Sequence, residues 1–307
     1  MKVLVTGHTG FLGSALVPEL EARGHEVSGL SLSGGEDGLA CDLTDPEATA
    51  RAVGDLDLDA VVHLAGITSE PAARSDPDAA FRANTGSTWN LFEAVTRDRG
   101  RGGIGKFVLG SSAAVYGRAG GTLDEAVPTE PVTPYGASRA AAEVVAGQYG
   151  RWTGVPVAQA RLFNLTGPRM PPSSLPGLVA GAIAAAEAAG ESEVRVPIEN
   201  PTFERDFLDV RDAARALALI AEGEIEGAVN VCSGEGVPVG GLIETFGRLT
   251  DLAIEVDRPE AGGRGAEVER LVGSPERLER EVGWRPETGL AVSLEAGLEG
   301  FRQAVPG

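Results

Sequence analysis

The sequence predicts an α/β protein in which a doubly wound parallel sheet is followed by a smaller, mixed C-terminal domain. Short apolar segments of strand length alternate with helical segments from the N-terminus to about residue 165, which is typical of a parallel sheet covered by helices on both faces. A glycine-rich turn directly follows the first strand. After Gly167-Pro168 the alternation becomes irregular and several prolines crowd one short loop, which indicates a second domain.

The composition excludes several classes of function. The 307 residues carry a formal net charge of −19, which argues against binding nucleic acid through a basic face. No apolar run approaches ~18 residues, so no membrane span is expected. The two cysteines, Cys41 and Cys232, suggest neither a disulfide framework nor a metal site. We therefore expect a protein of the reducing cytoplasm that binds no metal.

The first strand, Lys2 to Val5, leads into a turn with the spacing GxxGxxG, formed by Gly7, Gly10 and Gly13. A helix follows and ends at Gly24. Glycine lets the backbone approach a pyrophosphate closely, and the amides at a helix N-terminus attract negative charge. The spacing differs from the more common GxGxxG fingerprint, but the strand–turn–helix context favours a dinucleotide site.

The end of the second strand leaves the choice between NAD and NADP open. An NAD site usually has an acidic residue there for the ribose 2′-hydroxyl, and an NADP site has an arginine. After His25 to Leu30 this chain has Ser31-Leu32-Ser33-Gly34-Gly35. A serine hydroxyl such as that of Ser31 could serve either cofactor.

The third and fourth strands contribute further candidates. Asp42 follows the third strand and could accept a hydrogen bond from an adenine amino group, although a turn role is as compatible with the sequence. Asp45 is a candidate helix N-cap. The strand Asp59 to Gly66 ends in small residues, against which a flat ligand could lie. We interpret His63, inside that strand, as a core histidine rather than a catalytic one.

Hydroxyl groups follow the next strand, Lys106 to Gly110, after a helix predicted from about Asp76 to Arg99. The carboxyl ends of parallel strands border the ligand crevice of such sheets. Ser111 and Ser112 are therefore candidate hydrogen-bond donors to a substrate oxygen.

Tyr135 and Arg139 form a candidate acid/base pair. Pro134 fixes the chain just before Tyr135, and an alanine-rich run of strong helix formers follows. The two residues are four positions apart, so they share one helix face. A nearby cation favours the phenolate form of tyrosine, which suits proton transfer.

The remaining elements define the predicted domains. A strand from Val155 to Asn164 ends the regular alternation, and Ala228 to Cys232 is a late strand that could rejoin the sheet. A helix after residue 208 is expected to be capped by Asp209 or Asp212. We predict a cofactor-binding domain over 1–165, to which 205–233 returns, and a smaller substrate-binding domain over 166–204 and 234–307.

Taken together, these segments resemble the extended short-chain dehydrogenase/reductase family, and within it the NAD-dependent epimerase/dehydratase branch acting on nucleotide sugars. The resemblance covers nearly the whole chain and includes a segment, Val229 to Gly234, similar to one in the GDP-4-keto-6-deoxymannose reductase and GDP-mannose dehydratase group. The other matching segments are the glycine turn, Asp42-Leu43, His63-Leu64-Ala65-Gly66, Asn84, Ser111 to Gly117, Arg161 to Pro168 and Arg205 to Val210.

The resemblance implies a Rossmann-type fold, a homodimer and an NAD(P)-dependent nucleotide-sugar epimerase or ketosugar reductase, with NAD the commoner cofactor in the family. Tyr135 would exchange a proton with the sugar during hydride transfer while Ser112 holds the same oxygen, and Arg139 would complete the catalytic set. The implied cofactor-binding residues are Gly7, Gly10, Phe11, Leu12, Gly13, Ser31, Asp42, Leu43, Leu64, Ala65, Gly66, Asn84, Ser111, Tyr135 and Arg139. The implied substrate-binding residues are Thr68, Ser112, Tyr135, Asn164, Arg205 and Arg264.

Two departures from the family pattern keep alternatives open. Arg139 stands where the family has lysine, and an arginine can bind ribose hydroxyls and stabilise phenolate but cannot relay protons. Ala113 and Ala114 stand where dehydratases carry the acid and base that elimination needs. The alternatives are therefore an atypical dehydratase, or a cofactor- or nucleotide-binding relative with reduced turnover.

Overall fold

Strands and helices alternate up to residue 166, as predicted, in the computed structural model, which describes residues 1–36, 38–96, 103–257 and 268–304. The strands of this part are β1 (Lys2–Thr6), β2 (Glu26–Ser31), β3 (Leu39–Ala40), β4 (Ala60–His63), β5 (Lys106–Ser112), β6 (Gly121–Leu123), β7 (Val157–Leu162) and β8 (Asn164–Thr166). The helices are α1 (Gly13–Ala22), α2 (Pro46–Val53), α3 (Glu70–Ser75), α4 (Pro77–Phe81), α5 (Ser87–Thr96) and α6 (Pro134–Thr153).

The helical region between β4 and β5 is less regular than predicted. A π-helical turn, Arg82–Gly86, joins α4 to α5, so the single helix expected from Asp76 to Arg99 is interrupted. Residues 97–99 lie outside the described residues. A 3₁₀ helix, Ala113–Tyr116, follows β5. The π-helical turn changes where the side chain of Asn84 points, because side chains in such a turn are displaced from ordinary helical positions.

The second part of the chain contains shorter and more mixed elements. Its strands are β9 (Glu193–Pro197), β10 (Glu204–Asp209), β11 (Gly227–Val231), β12 (Gly236–Pro238), β13 (Ala253–Asp257) and β14 (Arg270–Gly273). Its helices are α7 (Leu175–Ala189), α8 (Val210–Glu222), α9 (Val239–Gly247), α10 (Glu276–Val282) and α11 (Leu290–Ala304).

The central sheet confirms the predicted doubly wound fold. Its seven strands have the order β11-β7-β5-β4-β1-β2-β3, and every neighbouring pair is parallel. The order reverses beside β1, and such a switch point opens a ligand crevice at the carboxyl ends of the strands. The late strand β11 joins the edge of this sheet, as the sequence suggested.

A second, mixed sheet has the order β12-β10-β14-β6, with β8 paired to β10. Within it β10 and β12 are antiparallel, whereas β10 and β14 are parallel. Three strands pair differently from the predicted domain grouping. β6 lies inside the range 1–165, β8 crosses the boundary at residue 165, and all of β10 except Glu204 lies inside 205–233, yet the three belong to the second sheet. The domain division itself stays a prediction.

Apolar packing on both faces holds the central sheet in place. One face packs against α1 and α8 through residues such as Leu16 and Leu217. The other face packs against α5 and α6, where Phe92 stacks on Phe107 at 4.2 Å between ring centroids. Asp209 caps α8 by accepting a hydrogen bond from the Arg211 backbone N–H at 2.8 Å. Among the described helices, none is long and apolar enough to cross a membrane.

Candidate active site

A cavity of about 1100 Å³ opens at the carboxyl ends of the central strands and extends to the second sheet. This volume exceeds what one drug-sized ligand usually occupies, so two ligands could share it. The predicted site residues that line it are Gly7, Gly10, Phe11, Leu12, Gly13, Ser31, Asp42, Leu43, Leu64, Ala65, Gly66, Thr68, Ser111, Ser112, Tyr135, Arg139, Asn164 and Arg205. The structure therefore brings together nearly every residue that the sequence nominated.

The glycine turn is too tight for any side chain. The Gly10 N–H donates to the Gly7 carbonyl at 2.9 Å. A Cβ atom at Gly13 would lie 2.2 Å from that same carbonyl oxygen. Gly7 has a φ of 71° and would bring a Cβ to 2.9 Å from the Ala65 nitrogen. Because α1 begins at Gly13, this bare backbone presents a helix N-terminus to the cavity, and a pyrophosphate fits such a cradle.

The part of the cavity predicted to hold adenosine is lined by polar residues at two turns, one after β2 and one after β3. The Ser31 hydroxyl accepts a hydrogen bond from the Gly34 N–H at 3.1 Å. Asp42 accepts from the Thr44 N–H and the Thr44 hydroxyl, at 2.9 and 2.8 Å, so it has the turn role that the sequence left open while it also lines the cavity. Asp45 caps α2, as predicted.

The two serines at the end of β5 have different surroundings. The Ser111 hydroxyl is buried and donates to Glu143 Oε1 at 2.6 Å. A hydroxyl has a single proton, so this bond competes with donation to a substrate oxygen. The role of Ser111 at a ligand stays a prediction. Because successive residues of a strand point to opposite faces, the Ser112 side chain points away from Glu143. Ser112 lines the cavity, and its hydroxyl accepts from the Ala114 N–H at 3.2 Å.

Arg139 is buried between the strands and the helix that carries Tyr135. It is only 3% exposed, and it donates to the Gly110 carbonyl at 3.0 Å and to the Ile67 carbonyl at 3.4 Å. Its guanidinium carbon lies 5.6 Å from the centre of the Tyr135 ring, within reach of a cation–π interaction. Its Nε has no hydrogen-bond partner among the described residues, which leaves one buried donor for a ligand in the cavity.

His63 is a structural residue, as predicted. Its Nδ1 lies 2.7 Å from the Thr6 hydroxyl and its Nε2 lies 3.2 Å from the Ser87 hydroxyl. Burial, reinforced by the positive charge of Arg139, lowers the pKa of His63 to about 3. The imidazole is therefore neutral at physiological pH and does not exchange protons with the cavity.

Asn84 is buried and is not among the residues that line the cavity, and its predicted contact with the cofactor stays a prediction. The π-helical turn buries its side chain completely. Its amide oxygen accepts from the Ile67 N–H at 2.9 Å, and its amide nitrogen donates to the Ile67 carbonyl and the Ser138 hydroxyl. Asn84 thus ties the loop after β4 to α6 and supports the site from outside.

Two of the predicted substrate-binding residues, Asn164 and Arg205, lie on strands of the second sheet and line the cavity. Asn164 donates to the Asp206 carbonyl at 2.8 Å. Arg205 donates to the Glu204 carbonyl at 2.9 Å and stacks over Phe203 at 5.3 Å. Thr68 lies on the loop after β4. Arg264 lies outside the described residues.

Sequence reasoning missed two acidic residues at this site. Glu143 forms a buried ion pair with Arg161 at 2.8 Å, and this pair joins α6 to β7. Glu70 lines the cavity at the start of α3. The only sequence signal for the role of Glu143 is a charged residue within an otherwise apolar helix, as Arg161 is within an apolar strand. The signal for Glu70 is its position after a strand of the parallel sheet. Among the described residues, no group of acidic, histidine or cysteine side chains could hold a metal ion.

The chain is similar to known proteins over its full length. A model of the NAD dependent epimerase/dehydratase family matches residues 3–232. GDP-6-deoxy-D-mannose reductase from Pseudomonas aeruginosa is 33% identical, with 99% of this chain and 98% of that protein covered. UDP-glucose 4-epimerase from Corynebacterium glutamicum is 26% identical, over 94% of this chain and 91% of that one.

Two solved structures have the same architecture and carry nicotinamide cofactors. The structure of RMD from Pseudomonas aeruginosa complexed with NADPH has a TM-score of 0.85 at 32% identity, and 99% of each chain is covered. UDP-glucose 4-epimerase from Thermus thermophilus, in complex with NAD, also has a TM-score of 0.85, at 31% identity and 99% and 100% coverage. The fold, the site and these similarities agree: the chain is an enzyme of the NAD(P)-dependent, nucleotide-sugar branch of the NAD dependent epimerase/dehydratase family.

Proposed function

We propose that the chain is an NAD(P)-dependent nucleotide-ketosugar reductase in which Tyr135 acts as the acid/base. The observation that carries this proposal is the bond from Arg139 to Gly110. It fixes α6, with Tyr135, against the strand that ends in Ser112. The similarity to a GDP-6-deoxy-D-mannose reductase over almost the whole chain supports reduction over the other reactions of the family. An epimerase is the second candidate, supported by the relatives that are UDP-glucose 4-epimerases.

Three residues of this chain have separate roles in the proposed reaction. Ser112 donates a hydrogen bond to the sugar carbonyl oxygen, and Tyr135 gives that oxygen its proton. Arg139 stabilises the resulting phenolate as a fixed cation, but it passes no proton because arginine stays charged in proteins. Tyr135 is half-buried and lines the cavity, so it would regain its proton from solvent water after the product leaves. When bound, the nicotinamide supplies or accepts the hydride.

Each ligand has candidate contacts in the cavity. The glycine turn would hold the cofactor pyrophosphate, and the unpartnered Arg139 Nε would donate to the nicotinamide ribose. Arg205 and Asn164 are proposed to bind the substrate diphosphate, since guanidinium groups suit phosphate geometry. Ala113 and Ala114 also line the cavity and supply neither acid nor base, which disfavours the dehydratase alternative.

Cofactor stoichiometry separates the two candidate functions. We expect NADPH or NADH to be oxidised in a one-to-one ratio with a nucleotide 4-keto sugar, because a reductase releases oxidised cofactor in each turnover. Absorbance at the reduced-nicotinamide band, followed beside chromatography of the sugar product, measures this ratio. Interconversion of a nucleotide sugar and its epimer without net cofactor oxidation would contradict the reductase and support the epimerase.

We also propose that the chain is a homodimer formed through α5 and α6. Trp89 on α5 and Val144 and Trp152 on α6 are 48%, 68% and 62% exposed, and large apolar groups grouped on adjacent helices are typical of interfaces. We expect Trp152→Ser combined with Val144→Ser to shift the protein to monomers in analytical ultracentrifugation. Val292→Ser, at an apolar residue 55% exposed on α11, is the matched control. A parent protein that sediments as a monomer would contradict the proposal.

We also propose that the protein is cytoplasmic. Cys41 and Cys232 are both buried and unpaired. Free thiols persist most readily in a reducing compartment. Thiol labelling of protein isolated from intact cells under denaturing conditions would test this, and a disulfide between the two would contradict it.

A further inference from the structure

Glu70 places a carboxylate on the wall of the cavity close to the proposed reaction centre. It lies in the first turn of α3, which Ser69 caps by accepting from the Ala72 N–H. The Glu70 side chain is 35% exposed, and it lines the cavity together with Thr68 and Tyr135. The reaction steps proposed above give this carboxylate no role.

Two contacts fix the Glu70 carboxylate relative to Tyr135. Its Oε1 accepts from Arg74 Nη2 at 3.1 Å, and its Oε2 accepts from the Thr133 hydroxyl at 2.9 Å. Thr133 in turn caps α6 by accepting from the Gly136 N–H at 3.1 Å. Tyr135 lies in the first turn of that helix. The carboxylate is thus connected through Thr133 to the helix end that presents Tyr135.

The carboxylate still has acceptor capacity on its cavity side. An ionised carboxylate offers about four acceptor positions, and the two contacts use one on each oxygen. A negative carboxylate repels a diphosphate but accepts strong hydrogen bonds from hydroxyl groups. The ligand part that suits Glu70 is therefore the sugar, whereas the guanidinium of Arg205, which lines the same cavity, suits the diphosphate.

We propose that Glu70 is a specificity-determining residue of the hexose subsite, with a carboxylate that accepts hydrogen bonds from sugar hydroxyl groups. Its bond to Thr133 would hold the bound sugar in register with Tyr135. This inference rests on the proposed function, since it requires a nucleotide sugar in the cavity. It makes a separate statement about binding, which can be measured without turnover.

Calorimetric titration of the full chain with paired probes tests the role of Glu70. The probes are GDP-mannose with GDP, and UDP-glucose with UDP. We expect Glu70→Ala to weaken binding of whichever nucleotide sugar the parent protein prefers by about 10- to 100-fold, the usual cost of a lost hydrogen bond to a charged group. Binding of the corresponding nucleoside diphosphate should change by no more than about twofold.

Glu70→Gln and Glu47→Ala serve as controls. The glutamine keeps an oxygen that accepts from Thr133 but loses the charge, so it should weaken sugar binding by about tenfold with an unchanged melting temperature. Glu47 also lies in the first turn of its helix and also pairs with an arginine four residues on, Arg51 at 3.7 Å. Its side chain is 86% exposed, and Glu47→Ala should leave both kinds of binding unchanged.

Two results would overturn the role of Glu70. An equal loss for the nucleotide sugar and the nucleoside diphosphate would show a general structural effect, and unchanged sugar binding would show no contact. Failure of the proposed reductase in favour of the epimerase gives a different result, because the parent protein would still bind nucleotide sugar and the Glu70 comparison would still apply. A parent protein that binds neither nucleotide sugar more tightly than its nucleoside diphosphate would overturn the inference. Sugar-dependent binding lost only in the Glu70 variants supports the inference even if hydride transfer is slow.

Discussion

Tyr135→Phe is expected to lower the turnover number of nucleotide-sugar reduction or epimerisation by about 10²- to 10⁴-fold, the usual contribution of a positioned general acid/base. The phenylalanine ring keeps the packing of α6 but removes the proton. Arg139 keeps its bonds to Gly110 and Ile67, so cofactor affinity should change little. Steady-state kinetics combined with fluorescence titration of the reduced cofactor would measure the two effects separately.

Arg139→Lys is the informative companion variant. A lysine restores the proton-relay group of the family pattern, but it cannot bond to both carbonyls in the planar geometry of arginine. If arginine is fully competent here, the variant should be no faster than the parent protein. A large gain in turnover would instead show that Arg139 limits the reaction. Parent-level activity in Tyr135→Phe would contradict the proposed acid/base role directly.

Glu143→Ala is expected to lower the free energy of unfolding by about 3–5 kcal/mol, because it leaves a buried positive charge without its partner. Arg161 bonds to Glu143 through Nε and Nη2 at 3.1 and 2.8 Å, and both side chains are 7% exposed. Burial alone disfavours the charged guanidinium, but hydrogen bonding to Glu143 and its charge outweigh this and raise the pKa of Arg161. Urea unfolding monitored by tryptophan fluorescence would measure the change.

Two further variants test the cause of that loss. Arg195→Ala removes an exposed ion pair with Glu255, at 3.0 Å, and should cost no more than about 1 kcal/mol. Replacing Glu143 and Arg161 together with methionine should be far less harmful than either single change, since the buried charges disappear as a pair. A small effect of Glu143→Ala, equal to that of Arg195→Ala, would show that water reaches Arg161.

The sequence was sufficient for features that depend on local patterns. Alternating apolar segments predicted the parallel sheet, because a strand buried on both faces must be continuously apolar. The glycine spacing predicted the turn after β1, because a side chain at Gly13 would collide with the Gly7 carbonyl. The isolation of His63 within an apolar strand correctly indicated a core role, and the hydrogen bonds to Thr6 and Ser87 account for its burial.

Two other predictions concern contacts that depend on which face a side chain occupies. Ser111 and Ser112 look equivalent in the sequence, but the pleat of β5 turns Ser111 toward Glu143. Asn84 was expected at the cofactor, but the π-helical turn, which no sequence signal announced, places it behind the loop at Ile67. In the structure both residues form hydrogen bonds to other parts of the protein, Ser111 to Glu143 and Asn84 to Ile67.

What the sequence alone determined was the fold class and the glycine turn, because both rest on short-range spacing, whereas cavity residues such as Thr68, Asn164 and Arg205 were implied by the family resemblance. Only the tertiary structure decided how distant residues pair. It joined Glu143 to Arg161 and Glu70 to Thr133, contacts that span 18 and 63 positions. Partner choice at such separations depends on how α3, α6 and β7 pack, and one sequence carries no local signal for it. The sequence indicated only that Arg139 shares a helix face with Tyr135. The packing of α6 buries Arg139 and fixes it beside Tyr135 through its bond to Gly110.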